Sequence, residues 1–195
     1  MFKVMIVMVL IMMSSVFAHT NRTEVTSVPL SYAGCNATVN SAATFDKTLF
    51  FGGVSSRVAS ADCYMVTNGV QVWKTIQNPA KTITARYGSA VCTATTYKAT
   101  GANTYMYIIG GVAGGVPVNH IYKTTDGVNF VKHCTTPYIK DSDQVETEMP
   151  GIYNATVSWN KYNSKMYLFG GIFPLGVQNT HLYSSSTGEV WTIVK

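Results

Sequence analysis

Short stretches of alternating apolar and polar residues follow one another along this chain, and glycine-containing turns separate them. Alternation with a period of two places successive side chains on opposite faces of a strand, whereas an amphipathic helix repeats every three or four residues. Because the stretches are short and closely spaced, they predict antiparallel hairpins. We therefore expect an all-β fold.

One order of residues occurs three times along the chain. It consists of an apolar strand, a pair of glycines, a tyrosine eleven or twelve residues later, and then a glycine followed by an aromatic residue. The pairs and aromatics are Gly52, Gly53, Tyr64 and Trp73; Gly110, Gly111, Tyr122 and Phe130; and Gly170, Gly171, Tyr183 and Trp191. Recurrence at a long period indicates a repeat architecture.

Each copy predicts a sheet of four strands. The first strand contains Asn36, Ser89 or Asn154, the second ends in the glycine pair, the third contains the tyrosine and the fourth the Trp or Phe. Turns such as Asn68-Gly69 and Asp126-Gly127 favour a tight hairpin between the third and fourth strands. Paired glycines permit positive φ and a close approach to a neighbouring sheet. The aromatic residues supply apolar area for stacking one sheet on the next, without which such units are unstable.

This pattern closely resembles the kelch repeat over nearly the whole chain after residue 18, although Phe130 stands where that repeat has tryptophan. The resemblance implies a β-propeller built from four-stranded antiparallel blades. We expect three kelch-like blades, at residues 32–80, 81–136 and 137–195. The segment Thr124–Phe130 is also similar to the Asp-box turn of sialidases.

Three blades are fewer than the roughly four to eight that close a propeller. The segment 19–31 contains a candidate latch strand, because Glu24–Pro29 is similar to the end of a fourth strand. Two explanations stay open: a partial or truncated propeller, or a homodimer in which two half-rings close each other through their open faces. Open faces would expose apolar surface and favour association.

The N-terminus predicts secretion. Lys3 precedes an apolar run from Val4 to about Met13, and small residues follow as far as Ala18. This order is typical of a cleaved signal peptide at residues 1–18. A signal anchor is the alternative, but the run is shorter than the roughly 20 residues of a spanning helix. We expect an extracellular or secretory-pathway protein without a stable membrane anchor.

The net charge and its distribution argue against binding to nucleic acid. The formal net charge is +5, and removal of Lys3 with the signal lowers it by one to +4. Because the basic residues are scattered, we expect no nucleic-acid partner.

In an oxidising compartment Cys35, Cys63, Cys92 and Cys134 allow two disulfide bonds in three connectivities. Cys35 and Cys63 lie on the predicted first and third strands, about 9–10 Å apart and too far to bridge. Candidate glycosylation sites are Asn21, Asn36 and Asn154.

The loops between second and third strands are the candidate binding surface, because loops on a rigid scaffold commonly carry recognition. Arg57, Phe173 and Leu175 are their most interaction-capable residues. Packing of Phe173 and Leu175 onto their own blade is an equally weighted alternative. The expected ligand is a protein or a glycan.

Catalytic chemistry finds little support in the sequence. Asp62, His120 and His181 share one repeat position, but equivalent third-strand positions do not converge, so we expect neither a metal nor a cofactor. The acidic stretch 141–148 is expected to be a solvated connector, since it lacks the glycine and ligand spacing of a calcium loop. Sialidase-like chemistry would need an arginine cluster, whereas Arg22, Arg57 and Arg86 are far apart. The family resemblance also raises galactose-oxidase-like copper chemistry, for which we assign no residues.

The sequence therefore predicts a secreted, partial kelch-like propeller that serves as a protein- or glycan-binding module. The alternatives are an enzyme of galactose-oxidase or sialidase type, and a truncated fragment without independent activity.

Overall fold

A computed structural model describes residues 22–25, 35–40, 46–55, 57–67, 71–98, 101–141 and 143–194. The predicted signal peptide, the Asn21 site and the turn at Asn68-Gly69 lie outside these residues. One 3-10 turn, Pro174–Gly176, accompanies the strands. In chain order the strands are β1 (Arg22–Val25), β2 (Cys35–Asn40), β3 (Asp46–Phe51), β4 (Val54–Ser55), β5 (Val58–Ala59), β6 (Cys63–Thr67), β7 (Gln71–Thr75), β8 (Ala90–Lys98), β9 (Gly101–Ile109), β10 (Val112–Ala113), β11 (Val116–Pro117), β12 (Ile121–Thr124), β13 (Val131–Cys134), β14 (Tyr138–Lys140), β15 (Glu146–Glu148), β16 (Tyr153–Asn160), β17 (Lys165–Ile172), β18 (Leu182–Ser185) and β19 (Val190–Ile193).

Three larger sheets follow the three sequence copies. The first sheet has the strand order β1-β7-β6-β3-β2, the central sheet β13-β12-β9-β8, and the last sheet β15-β14-β19-β18-β17-β16. Each contains an antiparallel meander of four strands, as a chain of short hairpins requires. The expectation of an all-β, antiparallel fold is confirmed.

Two sheets carry strands beyond their meander. β1 lies antiparallel to β7, with Glu24 opposite Trp73, so this N-terminal strand extends the sheet of its own repeat. β14 lies parallel to β19, and β15 pairs back on β14. The stretch expected to be a solvated connector is thus partly a β-hairpin, although the side chains of Glu146–Glu148 are exposed as expected.

The sheets are stacked through their first strands, since β8 contacts both β2 and β16. One apolar cluster fills the first junction and includes Leu49, Phe51, Met65, Tyr122 and Phe130. A second cluster fills the next junction and includes Ile109, Ile121, Leu168, Tyr183 and Trp191. Tyr122 and Phe130 of the central sheet and Tyr183 and Trp191 of the last sheet therefore lie between sheets. Tyr64 of the first sheet is outside both clusters, and the side chain of Trp73 is outside the described part.

The first strands differ in register between sheets. Phe51 pairs with Cys35, sixteen residues earlier, whereas its counterpart Phe169 pairs with Thr156, thirteen residues earlier. Asn36 and Asn154, aligned by sequence, therefore do not occupy equivalent positions. Asn154 is exposed at the start of β16 with φ of 54°, and its backbone N–H donates to the Gly88 carbonyl at 2.7 Å. The candidate glycosylation site Asn154 is thus on the surface, whereas the side chain of Asn36 lies outside the described part.

Asp126 organises the turn between β12 and β13. One carboxylate oxygen accepts the N–H groups of Val128 at 2.8 Å and Asn129 at 2.9 Å, and the other accepts the Asn129 amide at 2.9 Å. Partial burial raises the pKa of this carboxyl, but the hydrogen bonds from Asn129, Val128 and Thr124 outweigh it and bring the pKa below its ordinary 3.8. The turn also meets the first sheet, because the Thr75 hydroxyl donates to the Gly127 carbonyl at 2.7 Å.

The cysteines do not form the disulfides that the sequence allows. Cys63, Cys92 and Cys134 are free thiols, and the first two are buried in different junctions. Phe51 pairs with both Cys35 and Cys63, so β3 separates these two residues, as their spacing predicts. Burial raises the pKa of Cys63 and of Cys92 to about 12, which keeps both thiols protonated.

Asp126→Asn tests the role of the turn. The variant keeps one acceptor oxygen but loses the charge and the second acceptor, so we expect its unfolding free energy in urea to fall by about 1–2 kcal/mol. Because the folded-state pKa is lowered, the stabilisation is full above the ordinary pKa of 3.8 and disappears as pH falls through the folded value. Asp143→Asn, in the exposed β14–β15 turn, is the control; an equal loss in both variants, or a loss independent of pH, would contradict this role.

Thiol reactivity tests the cysteine assignment. In Cys35→Ser protein, native alkylation followed by mass spectrometry should modify the partly exposed Cys134 first. Cys63 and Cys92 should react only after unfolding, because their protonated, buried thiols are poor nucleophiles. Recovery of any of the three in a disulfide would contradict the structure.

Candidate binding surface

The glycine pair at the end of each second strand is the point at which one sheet meets the next. The Gly53 N–H donates to the Arg86 carbonyl, and the Arg86 N–H donates to the Ser60 carbonyl, both at 3.0 Å. At the next junction Gly111 donates to the Ile152 carbonyl at 2.7 Å, and Ile152 donates to Val118 at 3.1 Å. The same two hydrogen bonds thus attach each second strand to the segment that leads into the next sheet.

These contacts leave no room for side chains. Gly52 has φ of 69°, and a Cβ there would lie 2.6 Å from the Arg86 carbonyl oxygen. Gly110 has φ of 64°, and its Cβ would collide with the Ile152 carbonyl oxygen. Gly170, in the last sheet, has a similar φ of 66° but no atom within 4 Å of the Cβ position. Conformation and space both require glycine at the junctions, whereas conformation alone requires it at Gly170.

Each glycine pair leads into a small hairpin, where the sequence predicts only loops. Hairpin 1 comprises β4 and β5, hairpin 2 comprises β10 and β11, and hairpin 3 is closed by the Ile172–Gln178 bridge around the 3-10 turn. All three are closed at their base by an equivalent hydrogen bond, to the carbonyls of Gly53, Gly111 and Gly171. Since the junctions repeat, the hairpins emerge from the same edge of the stack, which we call the hairpin edge.

The three predicted binding residues have different environments. Arg57 is exposed at the tip of hairpin 1 with φ of 67°, and Leu175 is fully exposed in hairpin 3 with φ of 64°. Such a conformation costs a non-glycine residue about 1–2 kcal/mol. Phe173 is partly buried and packs against the cluster between the central and last sheets. Arg57 and Leu175 are therefore available to a ligand, and Phe173 supports the hairpin.

The sequence analysis did not predict a set of exposed valines at the hairpin edge. Val58 is 69% exposed, Val116 60% and Val177 57%, and each follows its second glycine by five or six residues. That recurrence was a usable signal in the sequence. Together with Leu175, these side chains make the hairpin edge apolar at its tips.

A shallow groove of about 310 Å³ lies beside hairpin 2, between Pro117–His120 and Glu148–Gly151. The Asn119 amide donates to the Glu148 carboxylate at 3.0 Å and to the Met149 carbonyl at 2.9 Å, and so fixes one wall. Partial burial, Lys132 and Arg86 lower the pKa of His120, so its imidazole is neutral at neutral pH. The groove offers a neutral imidazole and a carboxylate next to the apolar tips.

Arg86 stabilises the first junction. Its guanidinium is buried and donates to the carbonyls of Thr84 and Gly110, each at 3.1 Å, while it lies 4.9 Å from the centroid of the Tyr122 ring. Lys132 approaches the same ring at 5.7 Å. These contacts compensate the burial of a charge and hold Arg86 on the central sheet. The backbone of the same residue bonds to Gly53 and Ser60 of the first repeat.

The repeated position of Asp62, His120 and His181 gives three separate environments. Asp62 pairs with Lys74 at 3.0 Å, His120 lines the groove, and His181 is exposed beside Tyr183. Among the side chains that the structure describes, no three of His, Cys, Asp and Glu lie close enough to hold a metal ion. Within the same ranges, no helix has the length and apolarity to cross a membrane.

Gly110→Ala and Gly170→Ala form a matched pair that tests the junction. Both replace a glycine at nearly the same φ, so both should lose about 1–2 kcal/mol of unfolding free energy. Gly110→Ala must in addition displace the Ile152 backbone, and we expect a total loss of at least about 3 kcal/mol or failure to fold. Urea unfolding of the two variants, at protein concentrations at which the chain is monomeric, measures the difference; equal losses would contradict close contact at this junction.

No protein-family model matches the chain, and no curated protein matches its sequence.

Proposed function

We propose that this protein is a secreted, partial kelch-like β-propeller whose hairpin edge binds a protein ligand. The stacked antiparallel sheets support the propeller architecture, because each sheet meets the next through its first strand and its glycine pair. The apolar run before residue 18 supports secretion. Each four-stranded meander then represents one blade.

The observation that carries the proposal is the composition of the hairpin tips. Three exposed valines, a fully exposed leucine and an exposed arginine share one edge of a rigid scaffold. Exposed apolar residues grouped on one surface mark sites of protein association, and arginine is enriched at the centres of such interfaces. A glycan site would instead present flat aromatic rings and converging polar groups, so we favour a protein ligand.

Backbone conformation adds a second argument. Arg57 and Leu175 both hold positive φ at hairpin tips where glycine would relieve the cost, as Gly114 and Gly115 do in hairpin 2. Residues held in costly conformations are concentrated at binding and active sites. The positive φ of Arg57 and Leu175 thus supports a role for their side chains in binding a ligand.

Leu175→Gly and Arg57→Ala test the proposal. Wild-type protein should bind saturably to a member of an array of purified extracellular proteins, and each variant should weaken that binding at least tenfold. Leu175→Gly should keep or raise the unfolding free energy by up to about 1 kcal/mol, because glycine relieves the positive φ. Tyr162→Ser, at the opposite end of β17 and 88% exposed in the native protein, is the control.

Two results would contradict the proposal. Binding that survives both substitutions would place the ligand elsewhere on the molecule. Binding confined to a glycan array would replace the protein ligand by a carbohydrate.

A further inference from the structure

Each junction inside the molecule uses two different faces, which we call forward and back. The forward face of the first sheet presents Leu49, Phe51 and Cys63, and it packs on the back face of the central sheet, which presents Met106, Ile108 and Tyr122. Strand alternation gives the central sheet a forward face of its own, with Tyr107, Ile109 and Ile121. That face packs on the back face of the last sheet, which presents Met166, Leu168 and Tyr183.

Both junctions also contain a polar contact between the forward face of one sheet and a turn of the next sheet. The Thr75 hydroxyl donates to the Gly127 carbonyl at 2.7 Å, and the His133 imidazole nitrogen contacts the Thr187 carbonyl oxygen at 2.6 Å. Thr75 and His133 each follow the lysine that pairs with the repeated tyrosine, although a bulge places Cys134 opposite Ile121 in the central sheet. At both junctions, therefore, the forward face of one sheet packs on the back face of the next sheet.

The forward face of the last sheet presents four large apolar or aromatic side chains among the polar Thr156, Ser158 and Ser184, and it is uncovered in the described part of the chain. Alternation places Tyr167, Phe169, Leu182 and Val194 on it, opposite the buried Leu168, Tyr183 and Trp191. Phe169 is 58% exposed, whereas its equivalents Phe51 and Ile109 are 2% and 0% exposed. Val194, at the position of Thr75 and His133, is 38% exposed.

The back face of the first sheet is the complementary surface. Phe50 and Tyr64 alternate with the buried Leu49, Phe51 and Met65 and are only partly buried. Their equivalents Ile108 and Tyr122, and Leu168 and Tyr183, are covered by a preceding sheet. Among the described residues, one end of the stack thus carries a forward face that no back face covers, and the other end carries a back face that no forward face covers.

We propose that the forward face of the last sheet binds the back face of the first sheet in a second copy of the chain, so that two copies form a closed ring of six sheets. The proposed contact pairs a forward face with a back face, as both internal junctions do. A head-to-tail contact made twice gives a twofold dimer without exposed ends. Six blades fall within the four to eight that close a propeller. The inference rests on the propeller architecture proposed above, but not on ligand binding at the hairpin edge.

Light scattering after size-exclusion chromatography of the secreted chain gives the first test. Wild-type protein should have the mass of a dimer, and Phe169→Asp should be monomeric, with a dissociation constant raised at least tenfold. Tyr162→Asp changes an even more exposed aromatic residue that lies outside both faces, and this variant should remain dimeric. A monomeric wild type, an open-ended polymer, or a Phe169→Asp dimer would overturn the proposal.

Complementation between variants tests which faces pair. Tyr64→Asp should be monomeric on its own, yet a mixture with Phe169→Asp should regain a dimer, because one of its two interfaces is then wild-type. If the forward face paired with itself, Tyr64→Asp would remain dimeric and mixing would rescue nothing, which would overturn the head-to-tail arrangement.

A second variant of the forward face and a variant of the hairpin edge serve as controls for folding and for ligand binding. If Phe169→Asp fails to fold by circular dichroism, Val194→Asp supplies a second charge on the same face, with the same expected monomer. Leu175→Gly should lose ligand binding and stay dimeric, whereas the face variants should keep their hairpin edge. Failure of the ring and failure of the ligand site are thereby distinguished.

Discussion

The close backbone contact between a glycine pair and the segment that leads into the next sheet is the constraint on which the other features depend. Gly52 and Gly110 have no room for a Cβ, and the amides of Gly53 and Gly111 donate across the junction. Because backbone meets backbone, the distance between neighbouring sheets is fixed there. The apolar side chains further along the strands then fill the remaining space.

This constraint also determines which surfaces of the molecule a ligand can reach. Each glycine pair turns the chain into a hairpin, so the hairpins share one edge, and their tips are free because their bases are attached to the stack. The flat faces of the sheets are used by neighbouring sheets at both junctions. The central sheet is consequently buried on two faces. Phe169 of the last sheet and Tyr64 of the first lie on faces that no other sheet of the described ranges covers.

Much of the sheet pattern could be predicted from sequence, since strand alternation and glycine pairs depend on local chemistry. The meander of each repeat, and the separation of Cys35 from Cys63, follow from it directly. The parallel pairing of β14 with β19 could not be predicted, because it joins segments about fifty residues apart without a local signal. The first-strand register was missed because Asn36 and Asn154 match in letters, while Gly88 fixes the backbone of Asn154 through a contact between sheets. At the candidate site, Arg57 and Leu175 were identifiable from their position after the glycines, but the packing of Phe173 depended on the neighbouring sheet.

Amide hydrogen exchange at the glycine pairs tests the stacked arrangement most directly. If the second strands are attached to the next sheet as described, the amides of Gly53 and Gly111 exchange as slowly as those within β9, because both donate to backbone carbonyls of a neighbouring sheet. Exchange at these two amides as fast as at Gly114 and Gly115, in the exposed tip of hairpin 2, would contradict the arrangement.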